Sequence, residues 1–288
     1  MSGGAEMFPT PIEKSSRSWQ LTYQTLLPIA LIMWLLPLIA VMIFAIKPAA
    51  DFATGNYWGM PSSFEFFNNF GRVFLESDMP RYLWNSVLIT VPTVIGAVAL
   101  SCLAGFALGI YRFKLNIWVF FLFVAGNFVP FQILMVPVRD LTLNLGLYNT
   151  IPGLVLFHVA FQTGFCTLFM RNFIRALPFP LIEAARVEGV AEWRIFWFVV
   201  LPLMKPAIAA LSVLIFTFIW NDYFWAIVLT QGPEAQPVTA GITSFNAQFR
   251  AAYHMMSAGS IVAAIPPVLM FFLMQKHFIA GLTLGAVK

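Results

Sequence analysis

Six long apolar runs dominate the sequence and leave few architectures open to it. Free of Lys, Arg and Glu, they extend from Leu26 to Ile46, Ser86 to Ile110, Ile117 to Val138, Ile151 to Met170, Ala207 to Thr230 and Met255 to Met274. Crossing a bilayer takes roughly 20 residues of helix, so each run is long enough for one span. Strands of a membrane barrel are shorter and alternate in polarity. Phe120-Phe121-Leu122-Phe123-Val124 is apolar on every side, which excludes that pattern. The expectation is an all-α membrane protein with six transmembrane helices. Composition agrees, with 60% hydrophobic residues, 10% charged residues and a mean hydropathy of +0.83, well away from soluble domains.

Orientation follows from charge, because Lys and Arg collect in cytoplasmic loops. With a cytoplasmic N-terminus, the inner side holds Lys14, Arg17, Arg112, Lys114, Arg171, Arg175, Arg186, Arg194, Lys205, Lys276 and Lys288. Those 11 of the 16 basic residues stand against five acids, a net +6, whereas the outer side has five basic residues against seven acids, a net −2. Both termini are therefore expected in the cytoplasm. The overall charge of +4 reflects this asymmetry and calls for no nucleic-acid partner. A polar leader before a full-length apolar run also fits an uncleaved first helix better than a signal peptide. Cys102 and Cys166 fall inside spans without metal-type spacing, so neither a disulfide framework nor a metal site is implied.

Ala97, Ser101, Gly105 and Gly109 recur at intervals of four in the second span and put small side chains on one face, where another helix can approach closely. Packing within the chain is the simpler use of that stripe, and a second membrane subunit is the other. The 171–206 loop on the cytoplasmic side is far longer than a helix connection requires. Pro180 suits a helix's first position, Glu183 then falls in the first turn, and Gly189 supplies the left-handed residue that ends such a helix. A second amphipathic stretch from Ala191 to Val200 is stopped by Pro202. Leu181, Ile182, Val187, Val190, Trp193, Ile195 and Phe196 give the loop apolar surface that wants a partner or the headgroup region.

Glu183-Ala184-Ala185, three residues, Gly189, nine residues and Val199-Val200-Leu201-Pro202 resemble the EAA loop of ATP-binding-cassette (ABC) importer permeases. Two positions depart from the common pattern, Glu188 where Asp is usual and Val199 where Ile is usual. Asn85-Ser86, the segment from Leu103 to Leu108 with Arg112-Phe113, Leu145 to Thr150, Trp220-Asn221-Asp222-Tyr223 and Gly281 to Lys288 extend the likeness over essentially the whole chain. They point to the carbohydrate-uptake subfamily, similar to the second permease of the maltose system. The resemblance implies a type I importer fold, with residues 1–25 a cytoplasmic leader, 26–280 the six-helix permease domain, 171–206 its coupling loop and 281–288 a cytoplasmic tail that reaches toward the ATPase interface. It also implies that Glu183, Ala184, Ala185, Gly189, Leu201 and Pro202 dock on an ATPase subunit. The partners it implies are a second permease, an ATPase dimer that binds ATP and Mg, and an extracytoplasmic substrate-binding protein, at the bacterial inner membrane.

No phosphate loop is present, and His158, His254 and His277 lie far apart without a paired nucleophile or carboxylate of diagnostic spacing. No catalytic residue and no cofactor is therefore assigned to this chain. The polar residues that could line a substrate path are Asn127, Gln132, His158, Gln162, Thr163, Asn221 and Asp222. Each is more often a helix–helix hydrogen-bond partner than a ligand contact, and Trp220, Tyr223 and Trp225 add possible stacking surfaces for a sugar. Two rival classes are an importer permease for a non-sugar solute such as a phosphonate, polyamine or peptide, and an ion-coupled secondary transporter. The latter commonly shows internal repeats and intramembrane acids; only Asp222 is acidic within the spans here.

Overall fold

The computed structural model describes the backbone of residues 16–249 and 252–286, and the side chains of residues 16–245 and 252–275. In chain order the helices are α1 (Arg17–Ile46), α2 (Ala49–Ala53), α3 (Phe66–Leu75), α4 (Met79–Ile110), α5 (Asn116–Ala125), α6 (Met135–Asn144) and α7 (Ile151–Arg175). They continue with α8 (Phe179–Val187), α9 (Glu192–Arg194), α10 (Leu201–Leu203), α11 (Lys205–Trp220), α12 (Phe224–Leu229), α13 (Val238–Phe249) and α14 (Tyr253–Ala286). The described residues contain no strand.

Four helices, α1, α4, α7 and α14, are single rods long and apolar enough to cross a membrane. Two bent helix pairs accompany the remaining two apolar runs. Residues 116–128 and 131–144 meet at 89°, and residues 192–203 and 205–220 meet at 72°. The first bend divides the span expected from Ile117 to Val138 into two helical pieces. Pro130 has no N–H to give and forces the residue before it out of the helical region, and Val129 is accordingly extended at φ −73° and ψ 122°. The run from Ala207 to Thr230 is likewise interrupted, because helix α11 stops at Trp220 and α12 begins at Phe224.

Close helix contact explains the small-residue stripe. A Cβ added at Gly105 would lie 2.9 Å from the Met170 Cβ and 3.0 Å from the Arg171 nitrogen, and one at Gly109 would lie 3.2 Å from Ile174 Cγ2. The stripe of α4 therefore packs on α7 inside this chain, the simpler of its two expected uses. Around that pair lies the larger apolar core, with Cys102, Phe106, Cys166, Met170, Ile182, Ile195, Val200 and Leu211 all buried in it. A second core joins the start of α4 to α3, α13 and α14 through Met79, Tyr82, Phe245 and Met255. Helix α1 is mostly bare, with Trp34 78% exposed, as befits a helix facing lipid or another subunit.

At the end of α1 a compact cap is stitched by polar groups. Lys47 is fully buried and donates through Nζ to the carbonyls of Asn56 at 2.7 Å and Tyr57 at 2.9 Å. Asn69 donates to the carbonyls of Ala45 and Lys47, both at 2.9 Å, and Asp51 accepts from the Ser62 hydroxyl at 2.6 Å.

Candidate functional site

The segment after α7 is where the sequence places a partner-binding loop, and its local chemistry is well defined. Pro178 precedes α8 and Pro180 lies in its first turn, where a missing N–H costs nothing. The helix starts one residue earlier than expected, at Phe179, so Glu183 is its fifth residue and lies beyond the first turn. Interaction with the helix dipole, which is confined to the end turns, is therefore not what that carboxylate is for.

The end of α8 is a Schellman turn. Gly189 adopts φ 74°, its N–H donates to the Arg186 carbonyl at 3.0 Å, and the Val190 N–H reaches back to the Ala185 carbonyl at 3.0 Å. Two orphan carbonyls are thereby satisfied, and the left-handed residue expected at Gly189 is present. Beyond it the chain forms α9, a π-helical turn over Ile195–Val200 and α10. Pro202 does not stop this stretch as expected. It occupies the first turn of α10, and the break comes at Met204, two residues ahead of Pro206.

A salt bridge spans the turn. Arg186 grips Glu192 with two hydrogen bonds, Nε to Oε1 at 2.7 Å and Nη2 to Oε2 at 3.1 Å. The Tyr111 hydroxyl, from the end of α4, donates to the same Oε2 at 2.8 Å. Hydrogen bonding from Arg186 holds the Glu192 carboxyl below its ordinary range, Tyr111 adding to the effect, while burial and then Glu192 push the Tyr111 phenol up.

The apolar residues of this loop divide in two. Ile182, Ile195 and Phe196 are buried in the chain's own core, and Val190 packs against it. Val187 is 88% exposed, and Leu181 and Trp193 are exposed with it. Glu183 and Ala184 lie on the bare face, Ala185 and Leu201 are half-buried, and Gly189 and Pro202 are exposed. Glu183 has no hydrogen-bond or ion-pair partner among the described residues. The result is a rigid, internally anchored elbow that presents a free carboxylate, a small alanine and a bare valine on one side.

The polar candidates for a substrate path do not gather into one site. His158, buried at 3% exposure on α7, lies 3.6 Å through Nε2 from Asp222 Oδ2, a pairing across 64 residues. Asp222 also accepts from the Ala226 N–H at 3.1 Å and the Trp225 N–H at 3.5 Å, and so caps α12. That cap is the physical reason the fifth apolar run breaks. Asn127, Thr163 and Asn221 bond to carbonyls of their own helices, those of Phe123, Val159 and Thr217. Gln162 is half-buried and Gln132 is exposed. A cavity of about 610 Å³ between the α5–α6 bend and α7 is lined by Phe123, Phe157, Phe161 and other apolar groups, and of the seven candidates only Asn127 reaches it. Trp220 and Trp225 are buried packing residues, the first donating to the Ala263 carbonyl at 3.0 Å and the second against Phe157, so only Tyr223 stays exposed.

Asn149, outside the polar candidates, connects two parts of the bundle. At φ 57° its N–H donates to the Leu229 carbonyl at 2.9 Å and its Oδ1 accepts from the Gln231 N–H at 2.7 Å. The available signal was its tolerance of left-handed backbone beside Gly146. Lys14, Val287 and Lys288 lie outside the described residues, as do the side chains of the expected C-terminal segment. The backbone of Gly281 to Ala286 continues α14 as helix.

Residues 97–283 match the model of the family described as the binding-protein-dependent transport system inner membrane component. The chain belongs to that family. It is thus a membrane component of an ABC-type transport system, a transporter and not a catalyst. Among its relatives, the lactose transport system permease protein LacG of Rhizobium radiobacter is 33% identical over 222 residues, covering 77% of this chain and 80% of that protein. The arabinooligosaccharides transport system permease protein AraQ of Halalkalibacterium halodurans is 33% identical over 223 residues, 77% of this chain and 79% of that protein. A crystal structure of a bacterial ABC transporter involved in the import of the acidic polysaccharide alginate contains a chain that superimposes with a TM-score of 0.79 at 24% identity, over 93% of this chain and 100% of that one. That likeness establishes the fold.

Proposed function

We propose that this chain is the permease subunit of an ATP-driven, binding-protein-dependent importer of a sugar or sugar derivative, with six spans and both termini in the cytoplasm. The observation that carries the coupling part is the anchored elbow after α8. A rigid Schellman turn with an unpaired Glu183 beside exposed Val187 suits docking into a groove of a partner. ATP and Mg are held by that partner, an ATPase dimer, and a second permease completes the membrane part. Sugar as the solute class is supported by the relatives LacG and AraQ, permease proteins of a lactose and an arabinooligosaccharides transport system. The extracytoplasmic binding protein delivers it, and the 231–257 segment faces that protein, residues 250 and 251 lying outside the described residues. Counting each bent pair as one span, the charge asymmetry sets the direction of all six.

The test is assembly. Alone in detergent the chain hydrolyses no ATP; with its companion permease and ATPase pair, hydrolysis appears and rises when loaded binding protein is added. Turnover that follows this polypeptide through every purification step contradicts the proposal. Cytoplasm-specific reporters fused after Lys114 or at Glu192 are active and those at Glu65 or Glu234 silent, and activity at Glu65 reverses the topology.

A further inference from the structure

A cavity of about 710 Å³ opens where α4 ends, α5 begins and α7 ends. Four cations line it, Arg112, Lys114, Arg171 and Arg175, and no carboxylate does. Arg171 is the unusual one. It is only 8% exposed, its guanidinium carbon lies 3.9 Å above the centre of the Phe120 ring, and Nε donates to the Leu108 carbonyl at 3.2 Å. Its two terminal nitrogens have no acceptor among the described residues, and the residue lines the cavity. Neither nitrogen is sealed from solvent, so both donors stay open to an acceptor that enters the cavity.

Capping the end of α4 does not account for the cluster. Asn116 already donates to the carbonyls of Leu108 at 3.1 Å and Tyr111 at 2.9 Å, and Leu108 also receives Arg171. Nor is a neighbouring acid available, since Glu192, which meets Tyr111 at the cavity rim, is held by Arg186. Arg112, Lys114 and Arg175 are exposed and form no ion pair among the described residues. Beside them, Phe113, Leu115, Ile117 and Trp118 are exposed, with Trp118 at 68%. Cations flanked by bare apolar and Trp side chains at a helix end match the headgroup level of a bilayer, with acyl chains against the apolar groups and phosphate against the guanidinium groups.

We propose that this cavity binds the phosphate headgroup of an anionic phospholipid. The apolar rim favours a lipid over free phosphate, because free phosphate uses only the cations. The assay is native mass spectrometry of the full-length chain in detergent, with added phosphatidylglycerol or phosphatidylcholine, repeated on the assembled transporter. Phosphatidylglycerol is retained over phosphatidylcholine, and excess inorganic phosphate does not displace it. Arg112→Gln/Arg175→Gln, two exposed positions that leave the fold intact by circular dichroism, lowers retention roughly 25-fold, about five-fold for each cation removed. Arg81→Gln, the same charge loss at the other end of α4, leaves it unchanged. Equal retention of both lipids, or an unaffected double variant, overturns the proposal. Displacement by inorganic phosphate overturns the lipid as ligand, and loss of the lipid on assembly shows that a partner protein covers the cavity instead.

Discussion

Replacing Gly189 tests the coupling elbow through backbone conformation alone. Its φ of 74° lies in the left-handed region, and a Cβ added there meets nothing within 4 Å. No clash within the chain can therefore damage its packing, and Gly189→Asn, bulkier than Gly189→Ala but better suited to the dihedral, separates strain from a clash with the docked partner. Alanine costs about 1 kcal/mol in that region and a β-branched residue up to about 3 kcal/mol, while asparagine tolerates it better. If the strain is relieved by opening the turn, the closed-to-open ratio falls roughly 5-fold at 1 kcal/mol and 150-fold at 3 kcal/mol, and the apparent affinity for the ATPase falls by up to those factors as the open form comes to predominate. Recovery of the ATPase subunit by pull-down from detergent is thus expected in the order Gly189, Gly189→Asn, Gly189→Ala, Gly189→Val. Membrane insertion and yield stay constant through the series. Wild-type recovery with Gly189→Val, or Gly189→Asn as poor as Gly189→Val, would refute the reasoning.

Two further outcomes follow from contacts in the bundle and the loop. Gly105→Val places methyl groups into space held by the Met170 Cβ and the α7 backbone and should cost about 1–3 kcal/mol, read as a lower unfolding temperature in detergent, whereas Gly126→Ala, with nothing near its Cβ, should not. For Glu192, partly exposed and paired with Arg186, Glu192→Ala should loosen the turn by about 1 kcal/mol or less. Because Arg186 depresses the Glu192 pKa below its ordinary 4.5, the contribution is complete above that value and is lost as the pH falls through the lower, folded one. Amide protection over residues 186–192, taken relative to the intrinsic exchange rate at each pH, should fall in wild type as the pH drops below that ordinary value but stay flat in Glu192→Gln; equal protection in the two proteins at both acid and neutral pH would count against the clamp.

What was legible in the sequence was whatever local chemistry determines. Gly189 announced its turn because a left-handed residue after a helix has few alternatives, and the stripe through Gly105 and Gly109 announced a close helix contact by spacing alone. Hydropathy could not reveal the bend at Val129-Pro130 or the break at Asn221-Asp222, since both interrupt runs that remain apolar on average. Pairings across distance were also invisible. Nothing in the local sequence brings His158 to Asp222, and Glu192 looked like an ordinary surface acid until Arg186 and Tyr111 were found around it. Lys47 follows the first apolar run and reads as a solvated loop charge, yet it is the buried centre of the cap at the end of α1, its ammonium held by the carbonyls of Asn56 and Tyr57 and facing the rings of Phe44 and Phe52.

The central claim, that this chain couples ATP hydrolysis elsewhere to passage of a sugar through the membrane, is tested most directly by uptake into proteoliposomes. The vesicles contain this chain with its companion permease and ATPase pair, and binding protein loaded with labelled disaccharide or oligosaccharide is supplied on the extracytoplasmic side. Accumulation should require ATP and the binding protein together, persist when proton and sodium gradients are collapsed, and disappear with Glu183→Ala while assembly of the two permeases is retained. Accumulation that needs an ion gradient and proceeds without ATP would contradict the account.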